Sequence, residues 1–308
     1  MKMNELAHAH PTLLGIPAGK SLETGTLDML SQAHITVRRG HERSCTAKIE
    51  GFPGIQQAVF IKPSQIPALV ADGAVPIALT GEDTVIESGA DVETLTTRSF
   101  SKATAGGTRC VLFAREGFDA DILEGGPQRQ RERSITVISE YPKETRLFLE
   151  NHGVNAEVVP CSGSAEALVV IKKYDYGVAL TETGTSLQVN RLKEVETIFT
   201  SKTVLIANKA AMQNGVIRER ATFLASLLAG VLEARDKVYI TMNARINSLG
   251  AIKNILPSLK SPTVQQLAEE GFCAISSVVP VEGLVELKFC LKALGAEGIV
   301  EFNHSSIV

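Results

Sequence analysis

Short apolar runs, each followed by a polar turn and then a stretch with helical spacing, recur along most of the chain and restrict it to an α/β fold. Thr12 to Pro17 (TLLGIP), Ala58 to Ile61 (AVFI) and Ile77 to Thr80 (IALT) read as buried strands. They lead into Gly19-Lys20-Ser21, Pro63-Ser64 and Gly81-Glu82-Asp83. Behind these turns, Leu22 to Ala33 and the set Ile66, Leu69 and Val70 carry apolar residues at helical spacing. Ser64 stands where an N-cap belongs, and the acids at 82 and 83 suit a first helical turn, where the dipole favours negative charge. Strands without polar alternation are buried on both faces, which calls for helices on both sides of a largely parallel sheet.

The pattern then starts again. Cys110 to Ala114 (CVLFA) is a strand, and Gly117 to Arg133, rich in Gly, Pro and charge, is an expected exposed excursion. Ser134 to Ser139 is a strand, Pro142 opens a helix, and Ala156 to Pro160 is another strand. Ser162-Gly163-Ser164 precedes a helix from Ala165, and the strand Tyr176 to Leu180 runs into the loop Thr181 to Ser186. Repetition of one unit predicts two similar lobes, with the strand Thr203 to Ala207 returning to the first. Ile217 to Arg235 reads as a long connecting helix. Beyond it the order is strand (Val238 to Met242), helix (Ser248 to Ile255), strand (Thr263 to Leu267), strand (Cys273 to Val279), helix (Val281 to Leu294) and strand (Ile299 to Phe302). That βαββαβ order is ferredoxin-like.

Composition narrows the function classes. The 308 residues carry a formal charge of −3 with 5% aromatics and no Trp. This provides neither the aromatic platforms of a base-stacking protein nor a basic field for a nucleic-acid backbone or anionic membrane. A local pocket for a phosphorylated small molecule remains compatible. No apolar run reaches the roughly 20 residues that span a bilayer, and Met1 to Pro11 reads as a loose arm rather than a secretory signal. Five cysteines without a Cys-x-x-Cys pair fit free thiols in a reducing cytoplasm. Six histidines without His-x-x-x-His spacing give no expectation of a zinc site.

The segment most informative about chemistry is Glu182 to Leu187 (ETGTSL). A strand ending in Thr183-Gly184-Thr185-Ser186 and entering a helix gathers backbone N–H groups and hydroxyls at one point, a suitable anion cradle. An ordinary glycine turn with a Ser/Thr cap shows the same pattern, so the local sequence leaves both readings open. Ser162-Gly163-Ser164 is similar in kind. Pro17-Ala18-Gly19-Lys20-Ser21 lacks the Walker spacing, and no G-x-S-x-G elbow occurs. Cys161 is a candidate thiol by position alone, and a structural cysteine is the commoner case.

Taken in order, the segments resemble one family. They are IPAGKSL, KPSQIPALVADGAVPIALTGEDTVIESGADV, GGTRCVLFA, ISEYPKETRLFLENHGV, CSGSAEA and LTETGTSLQVNRLKEVETIFTSKTVLIANK, then ARDKVYITMNA, LPSLKSPTVQQLA and LKALGAEGIVEF. The chain is similar to the ATP phosphoribosyltransferases in their long form with a C-terminal regulatory domain. The resemblance implies a two-lobed α/β core like the type II periplasmic binding proteins, plus an ACT-like βαββαβ domain. On it, residues 1–105 and 191–225 form lobe I, 106–190 form lobe II with the phosphate loop, and 226–308 form the regulatory domain. It implies transfer of the 5-phosphoribosyl group of phosphoribosyl pyrophosphate to N1 of ATP, with Mg²⁺ carried mainly on the substrate pyrophosphate. Thr183, Gly184, Thr185, Ser186 and Leu187 match the loop that grips the 5-phosphate. Glu166 matches an acidic position near donor sugar or metal. Arg109, with Glu82 and Asp83, matches cleft-side motifs and is a candidate catalytic cation, as is Lys20 from a shifted position; Ser164 is a further cleft candidate. Leu259 and Thr263 match a stretch that contacts a histidine inhibitor, and Asn243 is a regulatory candidate at a position where the family often carries an Asp or His. A cytoplasmic homo-oligomer, dimer or hexamer, that binds neither nucleic acid nor membrane completes the expectation.

Three departures fall where substrate would sit. The family's Asp four residues before the loop's first Thr is Ala179, which removes an acceptor for the sugar and commonly costs about 1–3 kcal/mol. Lys20 stands at a shifted place in A-G-K-S-L, where the family has K-G-[RA]-L. Arg191 replaces a glycine in Asn190-Arg191-Leu192. Two further readings therefore stay open: a paralogue with another donor or N-heterocyclic acceptor, and a catalytically weak ligand-sensing relative.

Overall fold

A computed structural model of the chain describes residues 12–96, 108–118, 123, 135–303 and 306–307. The arm at 1–11 and most of the 117–133 excursion lie outside the described residues. The chain divides into two units, Met1–Asp28 with Ile35–Thr222 and Met29–His34 with Phe223–Val308.

The strands of the first unit are β1 (Thr12–Pro17), β2 (Thr36–Arg38), β3 (Thr46–Glu50), β4 (Ile55–Ile61), β5 (Ile77–Gly81), β6 (Glu93–Thr96), β7 (Thr108–Arg115), β8 (Ile135–Ser139), β9 (Ala156–Pro160), β10 (Tyr176–Thr181), β11 (Leu192–Ser201) and β12 (Thr203–Ala207). Its helices are α1 (Lys20–Gln32), α2 (Ile66–Ala71), α3 (Glu82–Ser88), α4 (Pro142–Asn151), α5 (Ala165–Val170) and α6 (Thr185–Val189). A longer helix, α7 (Gly215–Arg235), leads onward.

Two sheets share one plan. The first runs β2-β3-β4-β1-β5-β12-β6 and the second β11-β7-β10-β8-β9. In the first, β1 lies parallel between β4 and β5, and β12 runs antiparallel on β5. In the second, β8 lies parallel between β9 and β10, and β7 runs antiparallel on β10. In both sheets the central parallel strands are the continuous apolar runs of the sequence. Leu14, Ile16, Ile77, Leu79, Val137, Ile138 and Val178 are each at most 2% exposed. Burying each such side chain contributes about 1.5–3 kcal/mol.

Glycine appears where close packing demands it. A Cβ on Gly177 of β10 would come within 2.4 Å of the Phe113 ring, and one on Gly15 of β1 within 2.6 Å of the Ala78 methyl.

Several boundaries differ from the sequence reading. Residues 192–201, grouped above with lobe I, pair along the whole of β7 and so belong to the second sheet; the return to the first comes at Thr203. Ser64 is no N-cap, because Pro63–Gln65 form a 3₁₀ turn before α2. The edge strands β2 and β3, with burial alternating along each, carry no apolar run to announce them.

The second unit holds β13 (Lys237–Arg245), α8 (Leu249–Ile255), β14 (Thr263–Gln266), β15 (Phe272–Pro280), α9 (Leu284–Ala293) and β16 (Glu297–Phe302). Its antiparallel sheet runs β14-β15-β13-β16, the ferredoxin-like order. One face packs on α8 and α9 through Ile240, Met242, Ile252, Ile275 and Leu291. The helix α9 starts at Leu284 rather than Val281 because Gly283, at φ 73°, turns the chain immediately before it. No helix among the described residues is long and apolar enough to cross a membrane.

Candidate functional site

In both sheets the parallel strands point their C-terminal ends into one cavity of about 1120 Å³. Its wall takes Lys62, Pro63 and Ser64 after β4, Gly81, Asp83 and Thr84 around the start of α3, and Leu22 and Thr24 from α1. The second sheet supplies Glu140 and Tyr141 after β8, Cys161, Ser162 and Gly163 after β9, and Thr181 and Glu182 at the end of β10. Ser201, Lys202 and Thr203, where β11 passes into β12, close one side. Ligands of α/β sheets bind beyond strand C-termini, at points where successive connections leave in opposite directions. Such points lie between β1 and β5 in the first sheet and between β8 and β10 in the second.

The loop after β10 is held from within. Thr181 Oγ1 accepts the Gly184 N–H at 2.9 Å, and Gly184 adopts φ 72°, ψ 0°. That left-handed conformation is the reason for glycine there. Leu187 is 3% exposed and packs with Val111, Phe113, Ala165 and Val169, so it anchors the start of α6. Thr183, Thr185 and Ser186 stay exposed above this anchor. Thr183 Oγ1 and Thr185 Oγ1 lie 2.8 Å apart, and no side chain caps α6. Ser186 Oγ donates to Glu166 Oε1 at 2.9 Å, tying the loop to α5. The entry to α5 is strained, since Ser164 has φ 64° directly after Gly163 at φ 91°.

Across the cleft, Asp83 is 5% exposed. Its Oδ2 accepts from Tyr141 Oη at 2.8 Å and its Oδ1 from Ser201 Oγ at 2.6 Å. The Asp83 N–H donates back to Ser201 Oγ at 3.1 Å. One turn along α3, Glu87 accepts the Lys143 N–H at 2.9 Å and the Glu144 N–H at 3.1 Å, capping α4 from the other lobe. Burial pushes the Tyr141 hydroxyl far above the usual phenol range, and Asp83 adds to it. Burial, and then the charge of Glu166, raises the Glu140 carboxyl. Burial, and then Glu140, raises the Cys161 thiol, which argues against a thiolate nucleophile there.

The other sequence candidates are distributed as follows. Lys20 opens α1, and its side chain lies outside the described residues. Arg109 is turned to β11, where its guanidinium holds Glu194 Oε1, lies 3.1 Å from Glu194 Oε2 and donates to Thr197 Oγ1 at 3.3 Å. Its neighbour Thr108, not Arg109, reaches the cavity wall. The Glu82 N–H binds the Lys202 carbonyl at 2.8 Å, and its side chain and that of Ser164 are absent from the wall. Ala179, opposite Val111, is 7% exposed within the apolar cluster under α5 and α6. In the second unit, Asn243 and Thr263 lie on the open face of the sheet and Leu259 is 56% exposed in the loop before β14. Sequence reasoning missed Glu140, Tyr141 and Ser201. Tyr141 precedes Pro142, but its bond to Asp83 joins residues 58 positions apart, which no local pattern reveals.

No group of three or more His, Cys, Asp or Glu side chains able to hold a metal occurs among the described residues. Mg²⁺ suits such a cleft only as an ion carried by substrate phosphates with one or two carboxylates beside it.

The family profile described as ATP phosphoribosyltransferase matches residues 62–230, and that of the HisG C-terminal domain matches 234–305. The ATP phosphoribosyltransferase of Gemmatimonas aurantiaca is 34% identical over 290 residues, covering 93% of this chain and 96% of the relative. That of Pelodictyon phaeoclathratiforme is 34% identical over 304 residues, covering 96% and 97%. That of Methanosarcina barkeri is 32% identical over 296 residues, covering 93% and 96%. Among solved structures, the ATP phosphoribosyl transferase (HisG:HisZ) complex of Thermotoga maritima aligns with a TM-score of 0.54 at 23% identity. The alignment covers 71% of this chain and 96% of that one, a likeness of fold.

Proposed function

The chain belongs to the ATP phosphoribosyltransferase family, and on that premise we infer how its cleft performs the first step of histidine biosynthesis. The enzyme joins the 5-phosphoribosyl group of phosphoribosyl pyrophosphate to N1 of ATP and releases pyrophosphate. The observation that carries the reading is the loop Thr183 to Leu187: a buried leucine fixes it, and three hydroxyls stand exposed at the end of β10.

The chemistry asks for positioning more than for covalent help. The C1–pyrophosphate bond lengthens ahead of attack, so positive charge builds on the sugar while negative charge builds on the leaving group. Thr183, Thr185 and Ser186 hold the 5-phosphate through hydroxyls and backbone N–H groups, and so fix the sugar's distance from the acceptor nitrogen. Lys62 and Lys202, the cations on the cavity wall, stand where pyrophosphate charge develops. Glu166, held by Ser186, is the carboxylate beside the loop that would share Mg²⁺ with the pyrophosphate. Mg²⁺, when bound, neutralises that leaving group. Pyrophosphate release from phosphoribosyl pyrophosphate, dependent on ATP and accompanied by the N1-phosphoribosyl product, tests the assignment.

Ala179 favours a second reading, a paralogue with another donor or N-heterocyclic acceptor. A methyl packed in an apolar cluster offers nothing to a sugar hydroxyl. Turnover absent with ATP but present with a different heterocycle supports that reading. For the second unit we propose histidine binding at the open sheet face near Asn243 and Thr263, drawing on Leu259 from the loop before β14, and assembly as a dimer or hexamer in the cytoplasm. Histidine-dependent change in thermal stability and activity tests the first of these, and solution mass the second.

A further inference from the structure

The mechanism above gives no role to Glu140, a carboxylate on the cavity wall. Glu140 follows directly after β8, and the phosphate-gripping loop follows β10, its parallel neighbour. The chain leaves β8 toward β9 on one side, and β10 lies on the other, so the crevice between these two strand ends is the switch point of the second sheet. The Glu140 N–H donates to the Val178 carbonyl at 3.2 Å, which holds its backbone against β10. Its half-buried side chain lines the cavity.

Three acids around it are committed, while Glu182 at the end of β10 is exposed. Asp83 takes Tyr141 and Ser201, Glu87 caps α4, and Glu166 takes Ser186. Glu140 alone of these four makes no side-chain hydrogen bond or ion pair among the described residues. Burial and the nearby Glu166 both disfavour its ionised form. A partly buried carboxylate without donors weakens a fold, and such a group in a cleft points to a ligand that brings the donors.

We infer that Glu140 accepts hydrogen bonds from the ribose hydroxyls of the 5-phosphorylated donor and thereby selects ribose over deoxyribose. The inference rests on the phosphate assignment of the Thr183 to Leu187 loop. With the 5-phosphate at the end of β10, the sugar ring reaches sideways over the adjacent strand end, and adjacent strands lie about 4.8 Å apart. A carboxylate has two acceptor oxygens for a vicinal pair of hydroxyls and no donor to waste.

The test is calorimetric titration of the full chain with ribose 5-phosphate and with 2-deoxyribose 5-phosphate, for wild type, Glu140→Ala and Glu140→Gln. Wild type binds the ribose form at least tenfold more tightly. Glu140→Ala loses most of that preference and Glu140→Gln part of it, while inorganic phosphate competes equally in all three. Equal binding of the two sugars by wild type, no binding of either, or full discrimination by Glu140→Ala overturns the inference. Pyrophosphate release with ATP, run in parallel, separates the two readings. Discrimination without ATP-dependent turnover removes the acceptor assignment alone, and turnover with discrimination untouched in Glu140→Ala removes only the role of Glu140.

Discussion

Ser186 Oγ and Glu166 Oε1 are 2.9 Å apart, a hydrogen bond that joins the first turn of α6 to the first turn of α5. These two turns follow β10 and β9, so the bond couples the proposed phosphate loop to the acid beside it. Ser186→Ala removes both the proposed phosphate ligand and the restraint on Glu166. The expected result is a 10- to 100-fold rise in KM for the donor, corresponding to about 1–3 kcal/mol, with the KM for ATP little changed. Steady-state kinetics with each substrate varied checks this, and equal effects on both constants would contradict it.

Tyr141→Phe deletes a donor to the buried Asp83 carboxylate while keeping the edge-on ring contact with Phe199, whose centroid lies 5.7 Å away. Leaving that oxygen without its partner costs about 1–3 kcal/mol. Urea unfolding reads the loss directly, and an unchanged midpoint would show that the bond contributes nothing. Ser201→Ala acts on the other oxygen of the same carboxylate, so the two changes share a partner and should not add independently.

Glu140 gives a pH signature of opposite sign to an ordinary paired carboxylate. Its folded carboxyl is raised above the usual 4.5 by burial and then by Glu166. Its protonated form therefore supports the fold at acid pH, and that support is lost as pH rises from 4.5 through the raised value. Glu140→Gln should match wild type in melting temperature at acid pH and exceed it at neutral pH. Calorimetric melting across that range tests the sign, and a variant less stable than wild type at pH 7 would contradict it.

Gly177→Ala tests the packing under the site. The added methyl meets the Phe113 ring at 2.4 Å and Val169 at 3.0 Å, both fully buried and without room to move. Overpacking of this kind costs about 1–3 kcal/mol. Thermal unfolding should show it, whereas the neighbouring Ala179→Gly change removes only one methyl from the apolar cluster.

What the sequence revealed follows from how local each signal is. β1, β5, β8 and β10 stand out because both faces are buried, so their apolar runs are unbroken. β11 does not, because it mixes Lys193, Glu194 and Glu196 with apolar residues along one edge of its sheet. The loop at 183–187 is legible for the same reason as the inner strands, since strand end, glycine and helix start are contiguous. Asp83 with Ser201 spans 118 positions, and the pairing of Arg109 with Glu194 spans 85. Only the fold brings such partners together, which is how a cation read as catalytic came to be bound on β11.

The central claim is that this cleft transfers a phosphoribosyl group to ATP. Purified chain incubated with phosphoribosyl pyrophosphate, ATP and Mg²⁺ should release pyrophosphate and form N1-phosphoribosyl-ATP in equal amounts, and Gly184→Val should abolish both. Pyrophosphate release that does not depend on ATP, or binding of the donor with no turnover, would contradict it.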